Sequence, residues 1–305
     1  MLLVAGSANL DFVVRAPHIP GPGETVLGGA FKTYPGGKGA NQAAACARAG
    51  GAVTHMLAAL GNDAYALPIE ASLAEAGVVL HSVRVADQAT GTAFICVSDD
   101  AENAITVAPG ANQGLAPAHL TSSGLPPLAR FSHLLMPLET PLVTVAAYAH
   151  AAHAQGVTVV LNAAPAQALP AALLADIDIL IVNEGELAAL AGAAGDLEAQ
   201  LARIAVPTVV VTLGARGCLA RSGQQWLRQP AFAVTPVDTT GAGDTFCGAL
   251  VAALSHGQTL AEAMRQASAA AALACTKMGA QSSIPTLAEV ADFLAQHSPN
   301  PTQAP

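Results

Sequence analysis

Charge is what this chain has least of. Only 11% of its 305 residues are charged, 21 acidic against 12 basic, which leaves a formal net charge of −9. There are three lysines, Lys32, Lys38 and Lys277. A phosphate backbone wants a basic stripe, so this balance excludes nucleic acid as a partner. Disorder is excluded as well, because it needs high charge and low hydrophobicity, and 52% of the residues are apolar. Long hydrophobic runs are missing too. Despite a mean hydropathy of +0.47, no stretch of about 18 uninterrupted apolar residues exists to cross a bilayer. Alanine, about 70 residues of it, inflates the apolar count, and the composition implies a soluble, Ala-packed interior. Paired cysteines are also absent. The five present (Cys46, Cys96, Cys218, Cys247, Cys275) are odd in number, widely spaced and form no C-x-x-C. They suit small buried thiols in a reducing cytoplasm. Met1–Leu10 lacks the basic start of a signal peptide and runs straight into Asp11, so it reads as a first buried strand.

What the sequence does have is a rhythm of short β-branched runs followed by Ala-rich helical stretches. Strands are expected at Leu2–Gly6, Val53–Ala59, Val79–Val85, His133–Met136, Val157–Leu161, Ile177–Val182 and Pro207–Thr212. Helices are expected at Gly39–Ala49, Asp63–Ala76, Pro141–Gln155, Glu184–Ala191 and Leu197–Ile204, with Gly50, Gly77 and Gly156 as C-terminal caps. Runs such as Ile177–Val182 are continuously apolar rather than alternating, as in a strand covered on both faces. The fold class that follows is α/β: a doubly wound, mainly parallel sheet flanked by helices. Beyond Gly241 the pattern is helical, at Gly243–Leu254, Leu260–Cys275 and Leu287–Gln296, and the proline-bearing tail 298–305 reads as frayed. Two stretches break the rhythm, about 11–36 and 90–108, the first rich in proline and glycine and the second in extended segments around Asp99–Asn103. Both leave the core and return to it, which describes a small β lid on one domain spanning 1–305.

Three constellations carry chemistry. Asp238-Thr-Thr-Gly-Ala-Gly-Asp244 leads into a long Ala-rich helix. Gly241 and Gly243 let the backbone turn and expose successive N–H groups at a helix start, an anion site suited to a phosphate. Asp244 stands beside it as a proton acceptor for an attacking hydroxyl. Pro35-Gly-Gly-Lys38-Gly39-Ala40-Asn41-Gln42 lies where the first irregular stretch meets the core, a glycine hinge lined with donors. It is not a Walker A loop, whose spacing it lacks. Asn9 and Asp11 share one face of an extended segment and can grip vicinal hydroxyls. Glu139 joins them just past His133–Met136, at the strand edge where open α/β sheets bind ligands.

Together with Gly6–Asp11, Pro22–Thr25, Ala108–Asn112, Leu138–Pro141, Asn183–Glu186, Thr212–Gly217 and Lys277–Ser283, these strings resemble the ribokinase branch of the ribokinase-type (phosphofructokinase B) carbohydrate kinases across nearly the whole chain. The resemblance implies ATP-dependent phosphorylation of D-ribose at its 5-hydroxyl, with Asp244 as catalytic base and the Gly241–Asp244 backbone as anion hole. It places Asn9, Asp11, Gly37, Lys38, Gly39, Ala40, Asn41, Glu139 and Asp244 on the sugar. Asn183, Thr212, Leu213, Gly214, Ala215, Arg216, Gly217, Gly241, Ala242, Gly243, Asp244 and Ser268 would meet ATP. Glu186 would organise Mg²⁺ through water. Asp238, Thr240, Ala274, Lys277, Gly279 and Ser283 would surround a potassium ion, mostly through backbone carbonyls. It also implies a homodimer joined through the lids. Four positions depart from the family pattern: Ala163 in Asn162-Ala-Ala-Pro165, Gly185, Ser268 and Ala66.

Other features carry plainer readings. His150 and His153 lie three apart on a helix surface without a third metal ligand nearby. His55 and His81 read as core or edge residues, Trp226 as packed against the sheet, and the alanine helices as packing surface alone. A Rossmann oxidoreductase would need G-x-G-x-x-G after the first strand, which instead ends in Gly6-Ser-Ala-Asn9. A non-catalytic sugar-binding protein would have lost Asp244 or the glycines beside it. The nearer alternative keeps the kinase chemistry and changes the acceptor to deoxyribose, another sugar or a nucleoside.

Overall fold

The computed structural model describes residues 1–100 and 102–297; the tail 298–305 lies outside the described residues. The chain opens with β1 (Leu2–Ala5), β2 (Asn9–Ala16), β3 (Phe31–Gly36), α1 (Lys38–Arg48), β4 (Thr54–Gly61), α2 (Ala66–Glu75) and β5 (Val79–Val85). It continues through β6 (Gly91–Ser98), β7 (Asn103–Ala108), α3 (His119–Ser122), β8 (His133–Met136), α4 (Leu142–His153), β9 (Thr158–Asn162) and α5 (Ala171–Ala175). Next come β10 (Ile179–Asn183), α6 (Glu184–Ala191), α7 (Leu197–Ala202), β11 (Thr208–Thr212), β12 (Cys218–Ser222) and β13 (Gln225–Gln229). The last helices are α8 (Ala242–Ser255), α9 (Leu260–Ala274) and α10 (Leu287–Gln296).

Nine strands form one sheet in the order β13-β12-β11-β10-β9-β8-β1-β4-β5. Seven, from β11 to β5, pair in parallel, and β12 and β13 close one edge as an antiparallel hairpin. Side chains of a strand alternate between faces, and in β1 this sends Leu2 and Val4 into one core and Leu3 and Ala5 into the other. The first core is filled by α1, α2, α8, α9 and α10, the second by α3 to α7. The expected doubly wound class is therefore what the chain adopts, and the continuous apolar runs are its cause.

Four strands form a second sheet in the order β3-β2-β6-β7, with β2 and β6 parallel at its centre. It springs from the main sheet, since only Gly6–Ala8 separate β1 from β2. Along β2, Asn9 pairs with Gly36 on one side and Gly91 on the other.

Four sequence expectations need correction. The left-handed residue after α1 is Gly51 (φ 66°), not Gly50, because Ala49 and Gly50 still bond to Ala45 O as part of the last turn. Trp226 lies on edge strand β13 and is 41% exposed, so it does not pack into the sheet. Cys96 and Cys275 are only half-buried, although all five thiols are free. The alanine-rich helices do more than fill space. Gly248 of α8 lies so close to α1 that a Cβ there would collide with Gln42 O and Ala45 Cβ. That approach brings the short amides of α1 within reach of the first turn of α8. No helix among the described residues is long and apolar enough to cross a membrane.

Candidate active site

The strand order reverses at β1, whose chain goes on to β4 on one side while β8 flanks it on the other. A crevice at the carboxyl ends of such a pair is where open α/β sheets take ligands. The segment after β8 supplies Glu139, whose Oε2 accepts from Ser7 Oγ (2.6 Å) and from the Lys38 amide (3.0 Å). The Lys38 ammonium stands 3.9 Å from Glu139 Oε1. Burial favours the neutral amine of Lys38, but Asp244, Glu139 and Glu186 outweigh it and lift its pKa above the ordinary lysine value.

Asn112 ties the root of the second sheet to this place. Its Oδ1 accepts from the Ala8 amide (2.9 Å) and its Nδ2 donates to Asn9 Oδ1 (2.7 Å). A side chain at Gly91 would collide with both asparagines, so the ladder leaves room there for a polar cluster. Asp11, on the same face of β2 as Asn9, has its pKa raised to about 7, chiefly by burial, then by the repulsion of Glu139 and Asp244, with Lys38 opposing. Gly37 is the residue before α1; Gly39 packs against Gly6 and Ser7, and the Ala40 amide donates to Ser7 O (2.9 Å). Asn9, Asp11, Gly37, Lys38, Gly39, Ala40 and Glu139 are thus gathered around the ends of β1 and β8.

Helix α8 begins at Gly241, whose left-handed backbone (φ 74°) turns the chain and which carries no capping side chain. The amides of Gly243 and Asp244 are the second and third of the helix, which find no acceptor inside it. A Cβ at Gly241 would press on Ala280, whereas one at Gly243 would meet nothing within 4 Å. The space in front of Gly243 is open. Asp244 is buried, and each of its oxygens is held by one amide: Asn41 Nδ2 on Oδ2 (2.9 Å) and Gln42 Nε2 on Oδ1 (3.0 Å). Burial raises its pKa above the usual carboxylate range, against the pull of Lys38 and of the two amides, with Glu139 adding to the rise.

A cavity joins this helix start to β10 and β11, lined in part by Lys38, Asn162, Asn183, Glu186, Thr212, Gly243 and Asp244. Asn183 and Glu186 cap α6 reciprocally. The Glu186 amide donates to Asn183 Oδ1 (2.8 Å), and the Asn183 amide and Nδ2 donate to the two Glu186 oxygens (2.8 and 2.9 Å). The capping box fixes the Glu186 carboxylate, whose pKa is raised by burial against the Asn183 amide and Lys38. Leu213–Gly217 forms a tight turn after β11, closed by Leu213 N to Gly217 O (2.8 Å), with Gly214, Ala215 and Arg216 exposed and Arg216 paired to Glu184. Ser268 stands apart. It is buried on α9 with its hydroxyl 3.8 Å from Cys218 Sγ and does not line the cavity.

Beside α8, Asp238 accepts from the amides of Thr240 (2.9 Å) and Gly279 (2.8 Å), clamping the 238–240 and 277–283 loops together. These amides and Arg15 outweigh partial burial, the largest influence, and lower the Asp238 pKa. Ala274 ends α9 and accepts from the Lys277 amide (3.2 Å), the Lys277 ammonium pairs with Glu289, and Ser283 Oγ donates to Ala280 O (3.0 Å). Among the described residues no group of three or more His, Cys, Asp or Glu side chains could hold a metal ion. A cation here would rest on loop carbonyls and the lone Asp238 carboxylate.

Sequence reasoning left Ser7, Gln42, Asn112 and Asn162 without roles. Each lies in a motif quoted above, but its partner is more than 100 residues away: Ser7 with Glu139, Asn112 with Ala8 and Asn9, and Gln42 with Asn162 and Asp244. Only the fold reveals such pairs.

Comparison with known proteins agrees with this geometry. Residues 1–287 match the pfkB family carbohydrate kinase pattern. A ribokinase from Haemophilus influenzae is 41% identical over 302 residues, covering 96% of this chain and 98% of its own. Among solved structures, a ribokinase from Thermotoga maritima superposes with a TM-score of 0.90 at 35% identity, over 96% of this chain and 99% of its own. An Arabidopsis thaliana ribokinase complexed with ribose and ATP gives 0.88 at 33% identity, over 96% and 98%. This chain belongs to the pfkB family of carbohydrate kinases.

Proposed function

We propose that the protein transfers the γ-phosphoryl group of ATP to the 5-hydroxyl of D-ribose. The observation that carries this reading is the placement of Asp244. It is a buried carboxylate held by two amides at the mouth of a helix start, with Lys38, Glu139, Asn9 and Asp11 converging on one side and the cavity of Asn183, Glu186 and Thr212 on the other. Asp244 accepts the proton of the attacking hydroxyl as the new O–P bond forms and the bond from the γ-phosphorus to the bridging oxygen breaks, releasing ADP. The amides of Gly243 and Asp244 receive the equatorial oxygens in the open space before Gly243. Asn9, Asp11, Lys38, Asn41 and Glu139 fix the sugar so that one hydroxyl lies in line. Asn41 Oδ1 is buried without a partner among the described residues, an acceptor matched to a sugar hydroxyl.

The oxygen-rich, immobilised Glu186 suits a magnesium ion that keeps its waters. When bound, such an ion neutralises charge on the phosphates. The Asp238 clamp suits potassium, which would brace the turn at Gly241 from behind, because Gly241 backs onto Ala280 of the second loop. Residues 9–36 and 91–108 act as a lid that excludes water. Its exposed Leu27, Phe31, Phe94, Ile105 and Val107 support a homodimer joined lid to lid. Free thiols throughout fit a cytoplasmic protein.

The test is a coupled ADP assay over pentoses, hexoses and nucleosides, in potassium and in sodium. Ribose is expected to turn over fastest, and faster in potassium. Asp244→Asn is expected to lose about 10²–10⁴-fold in kcat while its melting temperature is retained. Robust turnover on deoxyribose or a nucleoside with none on ribose would replace the acceptor and leave the chemistry standing.

A further inference from the structure

Asp244 does not stand at the end of a chain of hydrogen bonds by accident of packing, because the chain has a direction. It starts at the Ile181 main-chain carbonyl, which can only accept. Asn162 must therefore donate to it through Nδ2 (3.2 Å), which leaves Asn162 Oδ1 as an acceptor. Gln42 meets that oxygen with Nε2 (2.9 Å) and uses the second hydrogen of the same nitrogen on Asp244 Oδ1 (3.0 Å). Turning the Gln42 amide over would set its oxygen against two acceptor oxygens at once. A main-chain group of β10 thus dictates, through two side chains from α1 and β9, that the Asp244 carboxylate is met by a donor. Gln42 is fully buried, and its Oε1 has no partner among the described residues. The structure leaves one good hydrogen bond unmade to keep Nε2 where it is, an unfavourable arrangement that packing alone would not require.

We propose that Gln42 is the positioning residue of the phosphoryl-transfer base, with Asn162 setting the sense of its amide so that Asp244 stays ionised and turns one fixed oxygen toward the acceptor hydroxyl. The inference rests on the kinase reading given above and adds two residues to it. Asn41 holds Oδ2 in the same way, so the carboxylate is pinned from both sides and cannot rotate. The charged and titratable groups facing Asp244 are Lys38 of α1, Glu139 beyond β8, Glu186 of α6, Asp11 of β2 and the Cys247 thiol one turn along α8. None of them is altered by changing Gln42 or Asn162, so a shift in the titration of the base in those variants reports on the amide.

The experiment is the pH profile of kcat, with D-ribose and ATP saturating, for wild type, Gln42→Met, Asn162→Ala and the double variant. Gln42→Met keeps the length of the side chain and removes the donor. Its acid limb is expected to move up by about one pH unit, so that kcat on the acid side of the limb falls about tenfold, while both KM values stay within about threefold. Asn162→Ala frees the Gln42 amide to turn, and its limb is expected to move in the same direction. In the Gln42→Met background the Asn162 change is expected to add no further shift, since it acts through Gln42. An acid limb unmoved in Gln42→Met, or shifts that add in the double variant, would overturn the proposal and assign Gln42 to packing. Gln42→Leu, which also lacks the donor and adds no charge, gives the same readout if the methionine variant does not fold. Wild-type protein that phosphorylates no acceptor overturns the kinase reading and this inference with it, whereas an active wild type with an unmoved limb overturns this inference alone.

Discussion

Ser7 Oγ donates a 2.6 Å hydrogen bond to Glu139 Oε2, joining the carboxyl ends of β1 and β8 across the point where the strand order reverses. The same oxygen takes the Lys38 amide, so Oε1 is the Glu139 oxygen left to face a ligand and the Lys38 ammonium. Ser7→Ala removes one of the two donors that orient it. The expected result is a rise of roughly tenfold in KM for ribose, the value of one hydrogen bond to a charged group, with kcat within about twofold of wild type. Steady-state kinetics at varied ribose check it, and an unchanged KM would show that the Lys38 amide alone is sufficient.

Asp11 gives the protein a pH-dependent stability of unusual sign. Its pKa of about 7, against an ordinary 3.8, means that the folded protein binds the proton more tightly than the unfolded chain does. Between those values the unfolded state carries fewer protons, so stability falls as pH rises, and the loss is complete above about pH 7. Asp11→Asn abolishes the penalty. Its melting temperature is expected to exceed that of wild type at pH 8 and to converge with it near pH 4. Equal offsets at both pH values would refute the assignment.

The two glycines at the start of α8 are expected to respond oppositely to alanine. Gly243→Ala adds a methyl where nothing of the protein stands, and it gains about 1 kcal/mol of helix propensity. The protein should be as stable as wild type or more so, yet poor in turnover, because the methyl occupies the phosphoryl space. Gly241→Ala forces a side chain onto a left-handed residue and against Ala280, at a cost of about 1 kcal/mol or more. Denaturant melts and ADP release, measured together, separate the two. Full activity in Gly243→Ala would remove the anion-hole assignment.

His55 and His81 stack with ring centroids 5.2 Å apart and share a 2.9 Å hydrogen bond between Nδ1 and Nε2. One ring must give the proton and the other accept it, so the two rings cannot both be protonated without losing the bond. Burial lowers both pKa values below the ordinary 6.5, and the neighbouring ring lowers that of His55 further. The unfolded chain therefore takes up protons first as pH falls, and stability drops below about pH 6.5. Thermal melts from pH 7.5 to pH 5 should show this drop in wild type and a smaller one in His81→Gln. Parallel curves would mean that another group titrates.

Much of this was legible in the residues. Ile177–Val182 announces a strand covered on both faces because every position is apolar, and Asn183 with Glu186 reads as a helix start because a capping box is local. Gly241 and Gly243 were visible as a helix start for the same reason. What the chain hides is partnership at a distance. Gln42 looks like one more residue in a donor-rich string until α1 is laid against α8, and Ser7 is unremarkable until β8 arrives beside β1. Trp226 misleads in the other direction, since aromatic bulk suggests burial, whereas a hairpin on the sheet edge leaves the ring exposed. Ser268 follows only from a resemblance along the sequence, and on α9 its hydroxyl lies 3.8 Å from Cys218 Sγ.

Strand β2 begins at Asn9, three residues after β1 ends, and runs on to become the centre of the second sheet. Asn9 and Asp11, the pair proposed above for the sugar, are therefore the first residues of the strand that carries the second sheet, and Asn112 ties that strand at its root to Ala8 and Asn9. On the proposed reading, the clamp and the cover share one backbone, so a change that displaces the root of β2 would disturb both at once.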